Sequence, residues 1–104
     1  MAERRWKNWG KNERRISLNV IVSKKPEKFL LALDEKRYAV VLEILKRLEI
    51  EPVPYREYDV IKIAGTRNGY RIRKGKIRIL YSIERELDSI FVEKIEWRDE
   101  TTYK

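Results

Sequence analysis

The fold is decided by residues 51–83, which read EPVPYREYDVIKIAGTRNGYRIRKGKIRILYSI. Three segments of this stretch alternate apolar and polar residues with a period of two, a pattern typical of strands with one buried face. These segments are residues 58–64, 70–73 and 77–83. Residues 65–69 and the pair Lys74-Gly75 separate them and predict turns, because glycine adopts the backbone conformations that tight turns need. The stretch therefore predicts three consecutive antiparallel strands.

The preceding residues predict a strand and a helical hairpin. Residues 16–23 alternate apolar and polar side chains, as a strand does. A short helix is predicted from Ser23 to Asp34. Asp34 then caps a second helix that ends before Pro52, because proline cannot donate a helical hydrogen bond. The apolar residues of this second helix recur every three or four positions, at Tyr38, Val41, Leu42, Leu45 and Leu48.

The following residues predict a polar turn at 84–88, a last strand at 89–95 and a polar tail at 97–104. The predicted element order is a strand, two helices and a meander of four antiparallel strands. A sheet needs cover for its apolar face, so we expect an α+β fold in which the helical hairpin packs on one face of the sheet. The opposite face is left for solvent or a ligand.

Residues 1–15 show no apolar period and hold Trp6 and Trp9 among six basic residues. Such a segment buries too little apolar surface to offset its ordering entropy, so we expect a flexible arm before a single domain of residues 16–104. Two roles are open for the arm. Its tryptophans and cations could stack on bases and pair with phosphates of RNA, or the tryptophans could cover a satellite of the core. The segment could also be an extension without either role.

Composition excludes several kinds of chemistry. The 104 residues include no cysteine and no histidine, which removes disulfides, thiolate nucleophiles, Ser-His-Asp triads and metal sites built on either residue. No apolar run approaches the ~20 residues that span a bilayer, and no apolar stretch follows the basic N-terminus. We therefore expect a cytoplasmic protein without a membrane partner. A domain of this size holds shallow sites, and we expect neither a metal nor a small-molecule cofactor.

The positive charge is concentrated in the predicted hairpin of residues 70–83. Lys and Arg outnumber Asp and Glu by 25 to 17 over the whole chain, for a net charge of +8. The hairpin contains no acidic residue and five basic ones, namely Arg71, Arg73, Lys74, Lys76 and Arg78. A focused basic patch favours polyanionic partners such as nucleic acid or an acidic protein.

Hairpin geometry predicts that these cations share the face of the sheet away from the apolar residues. A two-residue turn at the Lys-Gly pair sets Arg71 opposite Arg78, and a longer turn sets Arg73 there instead. Like charges directly opposite each other are destabilising. We favour a bound phosphate as their compensation, because guanidinium groups pair with it bidentately and the hairpin itself holds no acid. Carboxylates of the last strand and the tail are the alternative, namely Glu93, Glu96 and Asp99.

Four features of residues 16–104 occur in a characteristic order. They are the Pro-containing loop, the segment DVIKIAG, the hairpin YRIR…IRILY and the C-terminal WRDETTYK. This pattern resembles the RelE toxins of the RelE/ParE superfamily, especially the archaeal-type members. The resemblance implies a RelE-like fold and the toxin of a type II toxin–antitoxin system. It also implies an endoribonuclease that needs no metal and cuts messenger RNA in the ribosomal A site by attack of a 2′-hydroxyl on the scissile phosphate.

The resemblance assigns roles by position. Arg71 and Arg73 match the hairpin bases that grip the phosphate, and Arg78 matches the residue that stabilises transition-state charge. Arg98 matches the C-terminal arginine that assists the leaving group, and Tyr103 matches the tyrosine that orients the substrate. Further contacts to RNA would come from Lys62, Lys74, Lys76 and Trp97. The implied partners are a cognate acidic, RelB-like antitoxin, the ribosome and messenger RNA.

Some of these residues also have structural interpretations. Trp97 could pack at the edge of the core rather than stack on a base. Arg98 could form a salt bridge with Glu96 or Asp99. Tyr103 lies five residues after Arg98, one more than is usual in the family, and could belong to a frayed terminus.

The general base and the activity stay open on the residues alone. Arginine is a poor proton acceptor, so the base would be Tyr103, Lys74 or a group of ribosomal RNA. A ParE-like inhibitor of DNA gyrase and a non-catalytic RNA-binding domain are alternative functions, since one fold hosts several activities.

Overall fold

The computed structural model describes residues 18–98. The predictions for the N-terminal arm, Asp99 and Tyr103 concern residues outside this range. In chain order the elements are β1 (Asn19–Val22), α1 (Lys24–Leu31), α2 (Glu35–Ile50), β2 (Asp59–Lys62), β3 (Gly69–Lys74), β4 (Ile77–Glu84), a 3₁₀ turn (Arg85–Leu87) and β5 (Ser89–Trp97). The predicted succession of a strand, two helices and four strands is confirmed.

The five strands form one sheet in the order β1-β5-β4-β3-β2. β2 to β5 pair antiparallel in sequence order, as the predicted meander requires, and β1 pairs in parallel with β5. The helical hairpin carries the chain from β1 at one edge of the sheet to β2 at the other. The α+β fold is therefore the expected one, with one parallel pair in a mainly antiparallel sheet.

The helices begin and end close to the predicted positions. α1 ends at Leu31, three residues before the predicted end, and α2 begins directly after Asp34. Asp34 has the extended backbone of an N-cap residue, but its carboxylate makes no capping hydrogen bond and pairs with Arg37 at 3.2 Å. Within residues 18–98, neither helix has the length and apolar character needed to cross a membrane.

The core lies between the two helices and one face of the sheet. Burial of apolar side chains on that face supplies the main driving force for folding. Tyr81 of β4 is buried there, and its hydroxyl donates a hydrogen bond of 2.6 Å to the carbonyl of Pro52 in the loop after α2. The innermost side chains are Val41, Ile44, Leu48, Ile72, Ile79, Ile90 and Val92. The face that they leave uncovered is called the open face below.

The turn of the β3–β4 hairpin differs from the two-residue turn expected at Lys74-Gly75. Gly75 and Lys76 form the turn, and β3 pairs Lys74 with Ile77. Gly75 has φ +60°, which suits the first central position of a two-residue hairpin turn. Because glycine takes the first central position rather than the second, Lys74 stays in the strand. The alternative pairing, with Arg73 opposite Arg78, is the one observed.

Truncation of the core should destabilise the protein far more than truncation of a helix surface. Leu48 is fully buried, whereas Leu31 is 66% exposed. We expect Leu48→Ala to lower the free energy of unfolding by about 2–5 kcal/mol, because it removes buried methyl groups and leaves a cavity. The matched Leu31→Ala change should cost no more than about 0.5 kcal/mol. Urea denaturation followed by circular dichroism measures both, and equal losses would contradict the observed packing.

Candidate functional site

Four charged residues cross the open face in one line, called the charged row below. The row consists of Asp59 on β2, Arg73 on β3, Arg78 on β4 and Glu96 on β5. Each is directly opposite the next in the strand register, and directly opposite residues project from the same face of a sheet. The row therefore reads acid, arginine, arginine, acid.

The outer carboxylates of the charged row pair with the two arginines between them. Asp59 Oδ2 accepts a hydrogen bond from Arg73 Nε at 3.0 Å and lies 2.9 Å from Nη2. Glu96 Oε2 contacts Arg78 in the same way, at 2.9 Å from Nε and 2.8 Å from Nη2. The four side chains are 31–48% exposed, so each pair stabilises the fold by at most about 1 kcal/mol.

Arg71 lies beside the charged row and is the most enclosed of the site arginines. It sits on β3 between Ile61 of β2 and Leu80 of β4. Its side chain is 17% exposed, and its only ion pair within residues 18–98 is a loose one, 3.9 Å from Nη2 to Asp59 Oδ1. Its Nε is buried and has no hydrogen-bond partner in that range. An anionic ligand on the open face would supply the close counter-charge that Arg71 lacks within this range.

The surroundings of Arg71 disfavour its positive charge. Burial lowers the pKa of the Arg71 guanidinium, and the positive charges of Arg73, Arg78 and Arg98 lower it further, while Asp59 acts in the opposite direction. An arginine nevertheless remains protonated at neutral pH. The site therefore holds a charge at an electrostatic cost that a bound anion would relieve.

Arg98 lies at the hairpin turn, next to the charged row. Its backbone N–H donates to the carbonyl of Lys76 at 2.8 Å, and its Nη1 donates to the carbonyl of Gly75 at 2.8 Å. The alternative pairing of Arg98 with Glu96 is not observed, because Glu96 contacts Arg78. The structure thus brings Arg71, Arg73, Arg78 and Arg98 together, with Lys76 in the adjacent turn.

Lys74 and Lys62 lie on the helix side of the sheet. The expectation that all hairpin cations share the open face is wrong for Lys74, because side chains alternate along a strand and its partner Ile77 is buried. Lys74 Nζ lies 5.9 Å from the ring centroid of Tyr58. Lys62 is directly opposite Tyr70, and its Nζ lies 6.0 Å from that ring.

Trp97 also lies on the helix side. It is directly opposite Ile77, and its ring meets that of Phe29 edge to face with centroids 5.5 Å apart. The guanidinium carbon of Arg37 lies 5.6 Å from the Trp97 ring, which remains 47% exposed. Trp97 thus packs at the edge of the core, away from the four arginines.

The acids that neutralise the arginines differ in part from those considered in the sequence. Glu96 pairs with Arg78, as one alternative held, but Glu93 instead accepts a 3.1 Å hydrogen bond from the Ser82 hydroxyl. Asp59 was missed. Its place at the start of a strand was visible, but its partner Arg73 lies fourteen residues away and becomes adjacent only through the β2–β3 register. No group of acidic residues within positions 18–98 is arranged to hold a metal ion.

The environment of Arg71 predicts an unusual response to substitution. Replacing Arg71 by Met removes a desolvated, loosely paired charge and keeps the length of the side chain. We expect the free energy of unfolding to stay unchanged or to rise by about 1 kcal/mol. Arg47 is the control, because its Nε is likewise buried without a partner in residues 18–98, whereas its Nη2 is closely paired with Glu51 at 2.7 Å and Glu57 at 3.2 Å. Arg47→Met should therefore be destabilising, by up to about 1 kcal/mol.

Thermal and urea denaturation of the two variants measure these effects. A loss of stability in Arg71→Met larger than that in Arg47→Met would show that Arg71 supports the fold and would contradict its assignment to ligand binding.

Two helices on one face of a mixed five-stranded sheet, with clustered arginines on the other face, define a small α+β domain with an anion-attracting sheet surface. No family model matches the chain. The candidate toxin RelE1 of Methanocaldococcus jannaschii is 29% identical over 89 residues, which cover 86% of this chain and 98% of that protein.

Solved structures show the same likeness. An archaeal RelE–RelB complex from Pyrococcus horikoshii contains a chain that matches with a TM-score of 0.73 and 35% identity, over 80% of this chain and 97% of that one. The isolated RelE toxin of E. coli matches with a TM-score of 0.65 and 15% identity, over 83% and 89% of the two chains, which shows the shared fold alone. The chain belongs to the RelE family of toxins.

Proposed function

We propose that this chain is the toxin of a RelBE-type toxin–antitoxin system and that it cleaves messenger RNA on the ribosome. The observation that supports this most directly is the environment of Arg71. Its side chain is 17% exposed and has only a loose 3.9 Å ion pair within residues 18–98, and Arg73 and Arg78 project from the same face beside it. Three guanidinium groups on an open sheet surface match the charge and the planar geometry of phosphodiester recognition.

In this proposal the scissile phosphate sits over the open face. The oxygen of the RNA 2′-hydroxyl forms a bond to phosphorus, and the bond from phosphorus to the 5′-oxygen of the next nucleotide breaks. The 2′-hydroxyl proton goes to a base, and the departing 5′-oxygen takes up a proton. The products are a 2′,3′-cyclic phosphate and a 5′-hydroxyl end.

The arginines act by position and charge in this reaction. Arg71 and Arg73 hold the non-bridging oxygens, and Arg78 stabilises the extra negative charge of the five-coordinate phosphorus. Arg98, at the end of the hairpin, stabilises the departing oxygen. Fixed donors aimed at developing charge can supply a large part of such a rate enhancement without a metal.

The general base comes from outside the arginine cluster. Guanidinium groups are poor proton acceptors. Lys74 lies on the helix side of the sheet, near Tyr58, and so does not face the phosphate. We therefore assign the base to Tyr103 or to a group of ribosomal RNA.

A non-catalytic RNA-binding domain is the second candidate function. It is favoured by the same shortage of proton acceptors, because Asp59 and Glu96 of the charged row are both engaged by arginines. RNA binding without cleavage would support it.

We further propose an acidic antitoxin as the protein partner. The similar chain from Pyrococcus horikoshii occurs in a crystal structure of a RelE–RelB complex. The net charge of +8 and the exposed arginines favour a negatively charged partner, whose carboxylates would cover the open face and exclude RNA. Co-purification with the acidic product of a neighbouring small reading frame, lost at high salt, tests this partner.

Substitution of the arginines should abolish cleavage without unfolding the protein. We expect Arg78→Ala and Arg98→Ala each to slow transcript cleavage on translating ribosomes by roughly 100-fold or more, since each removes a donor to transition-state charge. Both variants should also relieve growth arrest. Arg85→Ala, in the 3₁₀ turn at the other end of the sheet, is the matched control and should cleave at the rate of the unmodified protein.

Assays of transcript cleavage and of DNA gyrase activity, run in parallel, separate the alternatives. Full cleavage by both Arg78→Ala and Arg98→Ala would overturn the assignment of the site. Poisoning of DNA gyrase with intact transcripts would identify a ParE-like inhibitor and contradict the proposed reaction.

A further inference from the structure

We propose that Asp59 and Glu96 are built-in counter-ions, which occupy Arg73 and Arg78 until a phosphodiester displaces them. The proposal rests on the phosphate site of the proposed function and adds two acidic residues that set its affinity. Neither carboxylate touches the phosphate. Each acts through the arginine that it holds.

Arg73 and Arg78 need neutralising charges in the free protein. Arg73 and Arg78 are directly opposite on adjacent strands, where side chains start about 4.5–5.5 Å apart and like charges repel. The two acids stand on the outer side of each arginine, on β2 and β5. In the free protein they offset the repulsion that the arginine pair creates.

The two acids and a phosphate compete for the same guanidinium donors. Asp59 and Glu96 both contact the edge of a guanidinium group formed by Nε and Nη2. Bidentate recognition of a phosphate uses two parallel N–H groups of this kind. Full engagement of Arg73 or Arg78 at this edge therefore requires its carboxylate to move away.

Displacement of the two carboxylates from their arginines costs little free energy. Both pairs are half-exposed, so water can replace either partner at little cost. Lys94 Nζ lies 3.9 Å from Glu96 Oε1 and offers that carboxylate a second cation once Arg78 is engaged.

Opposite effects on affinity and stability distinguish a counter-ion from a structural salt bridge. Removing a competing carboxylate should tighten binding of a polyanion and, at the same time, weaken the fold by exposing the arginine repulsion. A merely structural residue would lower both stability and binding when it is replaced.

The test compares Asp59→Asn and Glu96→Gln with Asp88→Asn. Asp88 lies in the turn at the opposite end of the sheet with φ +49°, a conformation that asparagine also adopts readily, so this control matches the change in net charge. The probe is a single-stranded 2′-O-methyl RNA oligonucleotide, which lacks the attacking hydroxyl. Fluorescence anisotropy at several salt concentrations gives its dissociation constant, and urea denaturation gives stability.

We expect Asp59→Asn and Glu96→Gln each to bind the oligonucleotide about threefold to fivefold more tightly than Asp88→Asn, in line with the strength of half-exposed ion pairs. Both should unfold at lower urea concentration than the control. Their affinity should also depend more steeply on salt concentration. A freed arginine can fully neutralise an RNA phosphate, and that phosphate then releases its condensed counterions.

Two results would overturn the counter-ion proposal, and only the second of them also excludes the phosphate site. Affinity no higher than that of Asp88→Asn, in a protein whose binding still depends on Arg71, would remove the counter-ion role and leave the phosphate site in place. Binding that Arg71→Ala does not weaken would remove the phosphate site, and the counter-ion role with it.

Discussion

The repulsion between two arginines on adjacent strands is the constraint around which the functional surface is built. Arg73 and Arg78 face each other across the β3–β4 hairpin, and the strands on either side each supply one carboxylate. Repulsion of this kind costs up to about 1 kcal/mol, and each half-exposed ion pair returns a similar amount. Two ion pairs against one repulsion leave the charged row with a net stabilisation of at most about 1 kcal/mol. The row therefore contributes little to folding, and its arginines are available to a ligand.

Stability comes from the other side of the sheet. The helices bury fully enclosed side chains such as Ile44 and Leu48 against β3, β4 and β5. This division leaves the open face free to carry charges that contribute little to folding. Arg71 is desolvated and flanked by like charges, which disfavours the folded state. The core does not depend on Arg71, and its burial of apolar side chains offsets this free energy.

Local patterns in the sequence were sufficient for the elements and their order. The period-two strands, the helix between Asp34 and Pro52 and the resemblance to RelE toxins all follow from residues close together in the chain. The grouping of Arg71, Arg73 and Arg78 on one face also follows from side-chain alternation, because both candidate registers preserve it.

The remaining features depend on contacts between distant residues. Whether the hairpin turn begins at Lys74 or Gly75 is decided by the backbone angle that the turn demands, and that choice places Lys74 on the helix side. The pairing of Asp59 with Arg73 requires the register between β2 and β3, which no local pattern encodes. The neutralisation of Arg73 by Asp59 therefore became visible only in the folded chain.

The most direct test of the account is an NMR titration that observes arginine Nε–Hε groups while the 2′-O-methyl oligonucleotide is added. The account predicts that the signals of Arg71, Arg73 and Arg78 shift together and saturate with one dissociation constant, while that of Arg85 stays unchanged. Uniform small shifts of all arginine signals, or none at Arg71, would show that the open face does not hold a phosphodiester.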